Sequence, residues 1–178
     1  FDESGYTGPD LVNSKQPYFS LASIRMTDEE IAQIKKEVGY CEWGRELHFK
    51  SMYKSYHGQK ILDKIFNHPL MDNYHVLLSF AHKRYCIYAN IVNILVETMY
   101  HFNGINLYEG AKNLLLANGL YCFAILHSNK DLVAEFENNF VGMVRKPSIE
   151  SVANFYRTTD KLRYDVDTRE GLFDMLSE

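Results

Sequence analysis

The sequence predicts an α/β protein with a small sheet in its first half and a mainly helical second half. Two short runs dense in apolar and aromatic residues, Pro17 to Ile24 and Tyr74 to Phe80, have strand length and lie beside turn residues. From Ile87 onward, apolar residues recur at helical spacing instead. No repeat, low-complexity tract or flexible linker separates the halves, so the helices are expected to pack directly on the sheet within one domain spanning 1–178. Residues 1–85 form its sheet-containing part and 86–178 its helical part. With 178 residues and 46% hydrophobic content, the chain can bury a real core. It begins at Phe1 rather than a methionine, and is expected to be incomplete at both termini.

The opening Phe1-Asp2-Glu3-Ser4-Gly5 reads as a short strand that runs into a turn, with a second turn signal at Gly8-Pro9. Pro17 to Ile24 then supplies an antiparallel neighbour. Thr27-Asp28-Glu29-Glu30 is a capping box, in which hydroxyl and carboxylate satisfy each other's exposed amides. Ile31, Ile34 and Val38 line the helix that follows, and Gly39 ends it. Glu46-Leu47-His48-Phe49 alternates polar and apolar residues, predicting a brief extended segment with Glu46 and His48 on one side. The next helix buries Ile61, Leu62, Ile65 and Phe66 and stops before His68-Pro69. Tyr74 to Phe80 is the clearest strand, and its nearly unbroken apolar run predicts cover on both faces.

The helical part opens with a stripe of Ile87, Ile91, Ile94 and Leu95, closed by Gly104. Leu107 to Asn118 predicts a helix ended by Gly119, and Leu120 to Leu126 suits strand or helix. Lys130 to Val144 carries Leu132, Val133, Phe136 and Phe140 in phase. Another helix is expected from Ser148 to Tyr156, after Pro147.

Composition narrows the function. No signal-like segment or membrane-length apolar run is present, so a soluble protein with no membrane partner is expected. Cys41, Cys86 and Cys122 are odd in number and lack Cys-x-x-Cys spacing, which argues for reduced cytoplasmic thiols over disulfides or a zinc knuckle. A net charge of −4 argues against a general nucleic-acid coat, though local basic patches remain open. Gly-x-Gly-x-x-Gly, Walker, Gly-x-Ser-x-Gly and His-Glu-x-x-His signatures are absent.

The chemistry concentrates near the start. A strand-end aspartate offers a fixed oxygen to a hard cation. Asp2 and Glu3 point to opposite faces if the strand persists, so one of them, by preference Asp2, can share a site with Glu46 and His48. Asp2, Glu3 and Glu46 are thus the candidate ligands for one or two magnesium or manganese ions, a grouping suited to phosphodiester chemistry. Lys83, after the strong strand, can reach a phosphate or hold a carboxylate. Arg45, Lys50, Lys54, His57 and Lys60, interleaved with Phe49, Tyr53 and Tyr56, offer cations for a phosphate backbone and rings for bases. The same residues also suit plain structure: a polar turn at Asp2 to Gly5, a solvated strand face at Glu46 and His48, a polar sheet edge at Lys83 and a solvated helix at 49–60.

Asp2-Glu3-Ser4-Gly5 with Thr7-Gly8, the strand Tyr18-Phe19-Ser20-Leu21-Ala22, the Glu46-Leu47-His48-Phe49 segment and a strand ending in Lys83 together resemble the domain of unknown function family 3800. The resemblance covers roughly residues 1–85, and the helical half only in general character. It implies a ribonuclease H-like mixed sheet with a large helical insertion or extension and a metal-dependent nuclease site. Family members often occur in mobile-element and phage-defence settings. By motif, Asp2 would be the bridging carboxylate, Glu46 the second acidic ligand, His48 an accessory group and Lys83 a phosphate or carboxylate partner. Two departures stand out: Tyr6 occupies a position where members often carry another aspartate, and no Gln-x-x-Asp-like segment supplies the last acidic ligand. Asp165, Asp167 or Asp174 are the substitutes within the chain; otherwise the ligand lies beyond Glu178. The competing expectation is a non-catalytic ribonuclease H-like module whose helical half, rich in Tyr, Phe and Leu, binds a partner or forms a homo-oligomer.

Overall fold

The computed structural model describes residues 1–5, 11–39 and 48–165. Strands β1 (Asp2–Ser4), β2 (Tyr18–Ile24) and β3 (Val76–His82) form a sheet in the order β1-β2-β3. β1 is antiparallel to β2, with Asp2 opposite Ala22 and Glu3 opposite Leu21. β3 is antiparallel to β2 on its other side: the amide of Arg25 donates to His75 O at one end (2.8 Å), and that of Lys83 to Pro17 O at the other (2.9 Å). No parallel pair occurs among the described residues, so the sheet is antiparallel where a mixed one was expected. β3 also departs from expectation. Among the described residues it is an edge strand, and Leu77, Leu78 and Phe80 are 64%, 56% and 70% exposed. A continuous apolar run marks covered strands only where other elements lie over both faces.

The chain divides into two compact units, Phe1–Ser4 with Ser20–Ser79 and Gly5–Phe19 with Phe80–Glu178, and β2 and β3 run from one into the other. In the first unit, α1 (Asp28–Val38) forms as its termini dictate. Thr27 Oγ1 accepts from the Glu30 amide, Glu30 Oε2 accepts from the Thr27 amide, and Gly39 closes the helix in the left-handed region. Ile34 and Val38 are buried, while Ile31 is 38% exposed. The predicted extended segment does not include Phe49. Glu46 and Leu47 lie outside the described residues, His48 is extended, and Phe49 already begins α2 (Phe49–Met52), because His48 O accepts from the amide and hydroxyl of Ser51. α3 (Tyr56–Phe66) ends before His68-Pro69 as predicted, with Ile61, Leu62 and Ile65 half-buried but Phe66 exposed at its terminus. Gly58 allows α2 and α3 to meet: a Cβ there would stand 2.2 Å from Met52 O.

The second unit holds the larger core. α4 (Lys83–Ile91), a π-helical turn (Val92–Val96) and α5 (Glu97–Phe102) run on continuously, with the Glu97 amide donating five residues back to Val92 O. That extra residue rotates the apolar face. Val92 and Val96 are fully buried, whereas Ile94, expected in the stripe, is 42% exposed. α6 (Lys112–Leu126) passes straight through Gly119, so this glycine is no stop and Leu120 to Leu126 is helix. α7 (Lys130–Arg145) and α8 (Ile149–Arg163) follow, the latter a turn and more longer than predicted. α7 packs on α8 and α4 on α6 and α7. Phe155 anchors the first pair, its ring 5.3 Å from that of Phe136 and 5.6 Å from that of Phe140. In the same unit, Gly5 has φ +86°, and a Cβ would stand 2.2 Å from Tyr18 O, so only glycine fits after β1. No described helix is long and apolar enough to cross a membrane.

Candidate functional site

Asp2, Glu3 and His48 all belong to the first unit. Asp2 and Glu3 are exposed successive residues of β1, so their side chains take opposite faces, as the alternation predicts. Asp2 Oδ1 accepts from the Glu3 amide at 2.9 Å, the one hydrogen bond to this carboxylate among the described residues. His48 is exposed at the N-terminus of α2, its carbonyl committed to that helix. Glu46, with Arg45, lies outside the described residues. Lys83, read from sequence as a phosphate or carboxylate partner or else a polar sheet edge, belongs to the second unit, opens α4 and is only 4% exposed. Among the carboxylates considered for the last ligand, Asp165 stands 3.5 Å from Nε2 of the buried His127. Asp167 and Asp174 lie outside the described residues.

The basic and aromatic segment folds into α2 and α3 of the first unit. Phe49, Tyr53 and Tyr56 are all more than half exposed. The rings of Phe49 and Tyr53 stack with centroids 5.6 Å apart, and Lys60 Nζ lies 4.6 Å from the centre of the Tyr56 ring. Two further histidines of this unit are tied to carboxylates: His68 Nε2 lies 3.0 Å from Glu37 Oε2, and His75 is flanked by Asp72 and Glu30.

The second unit holds a polar cluster that no sequence motif announces. Glu137, on α7, shares the helix face of Val133 and Phe140 and is 1% exposed. Its Oε1 accepts from Arg84 Nε at 2.6 Å and from the Tyr88 hydroxyl. Arg84 and Tyr88 are four residues apart on α4, hence on one face, which lets a single oxygen take both donors. A buried carboxylate is tolerated only with such charge-assisted partners. Burial, reinforced by the Glu137 charge, pushes the Tyr88 phenol well up, so it stays protonated and donates. For Arg84, burial opposes the charged form, but the Glu137 hydrogen bond and charge outweigh it and raise its pKa.

Beside this cluster is a cleft of about 410 Å³. Leu11, Val12, Pro17 and Ala134 give it apolar walls, and Arg84, Glu137, Lys130 and His82 supply the charged and polar ones. His82 Nδ1 is 3.1 Å from the Tyr121 hydroxyl. A signal for Glu137 was present: a carboxylate at the helical spacing of Val133, Phe136 and Phe140. Its partner fifty-three positions away carried none.

The elements define a mixed α/β protein with a small antiparallel sheet and a helical majority. No family model, no curated protein and no solved structure matches the chain.

Proposed function

We propose that the chain is a metal-dependent nuclease of ribonuclease H-like design that hydrolyses phosphodiester bonds in DNA or RNA. The observation that carries the proposal is Asp2: an exposed carboxylate, fixed on a hydrogen-bonded strand, in the same compact unit as His48 and the basic, aromatic helices α2 and α3. Among the described residues, no three His, Cys, Asp or Glu side chains group closely enough to hold an ion. The ligand set therefore depends on Glu46 joining Asp2, with Glu3 on the opposite face of β1 as the alternative donor. A bound magnesium or manganese ion would supply an activated water and charge neutralisation at the leaving oxygen. The chain's own part is positional. Lys50, Lys54 and Lys60 hold the phosphate backbone, and the exposed rings of Phe49, Tyr53 and Tyr56 stack bases.

Calorimetric titration of Mn²⁺ into the chain and its Asp2→Asn variant tests this, alongside cleavage of labelled DNA and RNA with Mg²⁺, Mn²⁺ or EDTA. Asp2→Asn is expected to weaken binding by about tenfold or more, roughly 1.4 kcal/mol, and to abolish EDTA-sensitive cleavage. Equal binding by both proteins with no cleavage by either would end the proposal.

A second reading, a non-catalytic ribonuclease H-like module that pairs with another copy of itself, is favoured by α6, where Leu114, Leu115 and Leu126 are 51%, 72% and 82% exposed. Light scattering that gives a dimer mass for a chain inert toward nucleic acid would select it.

A further inference from the structure

We propose that the cleft of the second unit binds a small organic oxyanion, a carboxylate or phosphate monoester carried on an apolar group, through the terminal nitrogens of Arg84. Among the described residues, the hydrogen bond from Arg84 to Glu137 is made by Nε, so the terminal NH2 groups of the guanidinium are not its donors; the guanidinium also interacts with the Tyr88 hydroxyl. Because Glu137 is buried and also holds Tyr88, it fixes the plane of the guanidinium, and the Arg84 side chain remains 34% exposed on the cleft wall. A planar fork held from behind is preorganised for two ligand oxygens, and an ammonium group cannot reproduce that geometry.

The rest of the cleft agrees with an anion that has an apolar body. Lys130, whose Nζ also donates to the Ile125 carbonyl, adds a second cation, so the lining carries two positive groups against one carboxylate whose Oε1 already takes two donors. Leu11, Val12, Pro17 and Ala134 leave a surface that a bare inorganic ion would not fill. About 410 Å³ lies in the range of small-molecule sites, roughly 300–1,000 Å³. The site involves none of the residues of the nuclease proposal, so neither test prejudges the other.

Amide chemical-shift titrations of the full chain with benzoate and phenyl phosphate test it, with benzamide and inorganic phosphate as comparators lacking the charge and the apolar body. Saturable shifts at Arg84, Lys130 and Ala134 are expected with one or both aryl anions, the tighter one naming the oxyanion. Both comparators should bind at least about tenfold more weakly. Arg84→Lys, which keeps charge but loses the fork, and Ala134→Leu, which fills the cleft without replacing either residue of the ion pair, should each weaken binding by about tenfold or more. If Arg84→Lys melts early, Ala134→Leu decides alone. No shifts at millimolar probe, benzamide as tight as benzoate, or Ala134→Leu binding like the original chain would overturn the proposal.

Discussion

The imidazole of His75 sits between two carboxylates, with Asp72 Oδ1 2.7 Å from Nδ1 and Glu30 Oε1 3.4 Å from Nε2. The hydrogen bond with Asp72, aided by both negative charges, raises its pKa above 6.5. The same contacts act in reverse on the acids. The His75 hydrogen bond lowers Asp72, while Glu30 is lowered first by the Thr27 amide and further by His75. Stability from the raised histidine is complete below its unfolded value near 6.5 and fades as pH rises through the folded value; that from the lowered acids is complete above about 4.5 and fades as pH falls. The cluster therefore stabilises most between those limits. The urea midpoint should fall from pH 5.5 to pH 8.5 in the original chain and fall less in His75→Gln; equal falls would show that His75 contributes nothing to the pH dependence. Neither this cluster nor the Arg84–Glu137 pair was legible beforehand, because each joins residues brought together by folding. Asp2 and His48, by contrast, were singled out from sequence; both are exposed, Asp2 on β1 and His48 at the start of α2 rather than on a strand face.

Elements were most legible where local chemistry decides them. The capping box at Thr27 and the αL glycine at position 39 bound α1 as predicted, because both ends are satisfied by neighbours in sequence. Gly119 misled for the opposite reason. A glycine ends a helix only if the chain adopts the left-handed conformation there, and in α6 it remains helical, with nothing within 4 Å of the point a Cβ would occupy. Gly119→Ala should therefore stabilise the protein by about 0.5–1 kcal/mol through helix propensity, and raise the thermal midpoint by roughly 1–4 °C. A melting temperature that drops would mean that the added methyl meets an obstacle and that the space beside Gly119 is not open. The π-helical turn is a similar case: no pattern announces one extra residue, yet it moves Ile94 outward and Val92 and Val96 inward.

The whole molecule distributes its apolar burial unevenly. The second unit combines Ile87, Tyr88, Ile91, Val92, Leu120, Phe136, Phe155 and others into one cluster, whereas Ile34 and Val38 are the buried apolar side chains among the described residues of the first. Local opening scales inversely with such burial. Hydrogen exchange should thus protect the amides of α4, α7 and α8 at least about tenfold longer than those of α1 and α3, a gap of about 1.4 kcal/mol or more. Uniform protection would show that the two units open as one.

By itself, the sequence determined the class of the fold, the approximate placement of the three strands, the starts of α1, α7 and α8 and the carboxylates at the N-terminus, since periodicity, caps and turn residues act within a few positions. Tertiary structure alone decided that β3 is an edge strand, that Lys83 is buried and that Arg84, Tyr88 and Glu137 meet at one oxygen beside a cleft. Those facts depend on which surfaces cover one another, and burial of a charge is settled only when a partner from a distant element arrives to compensate it.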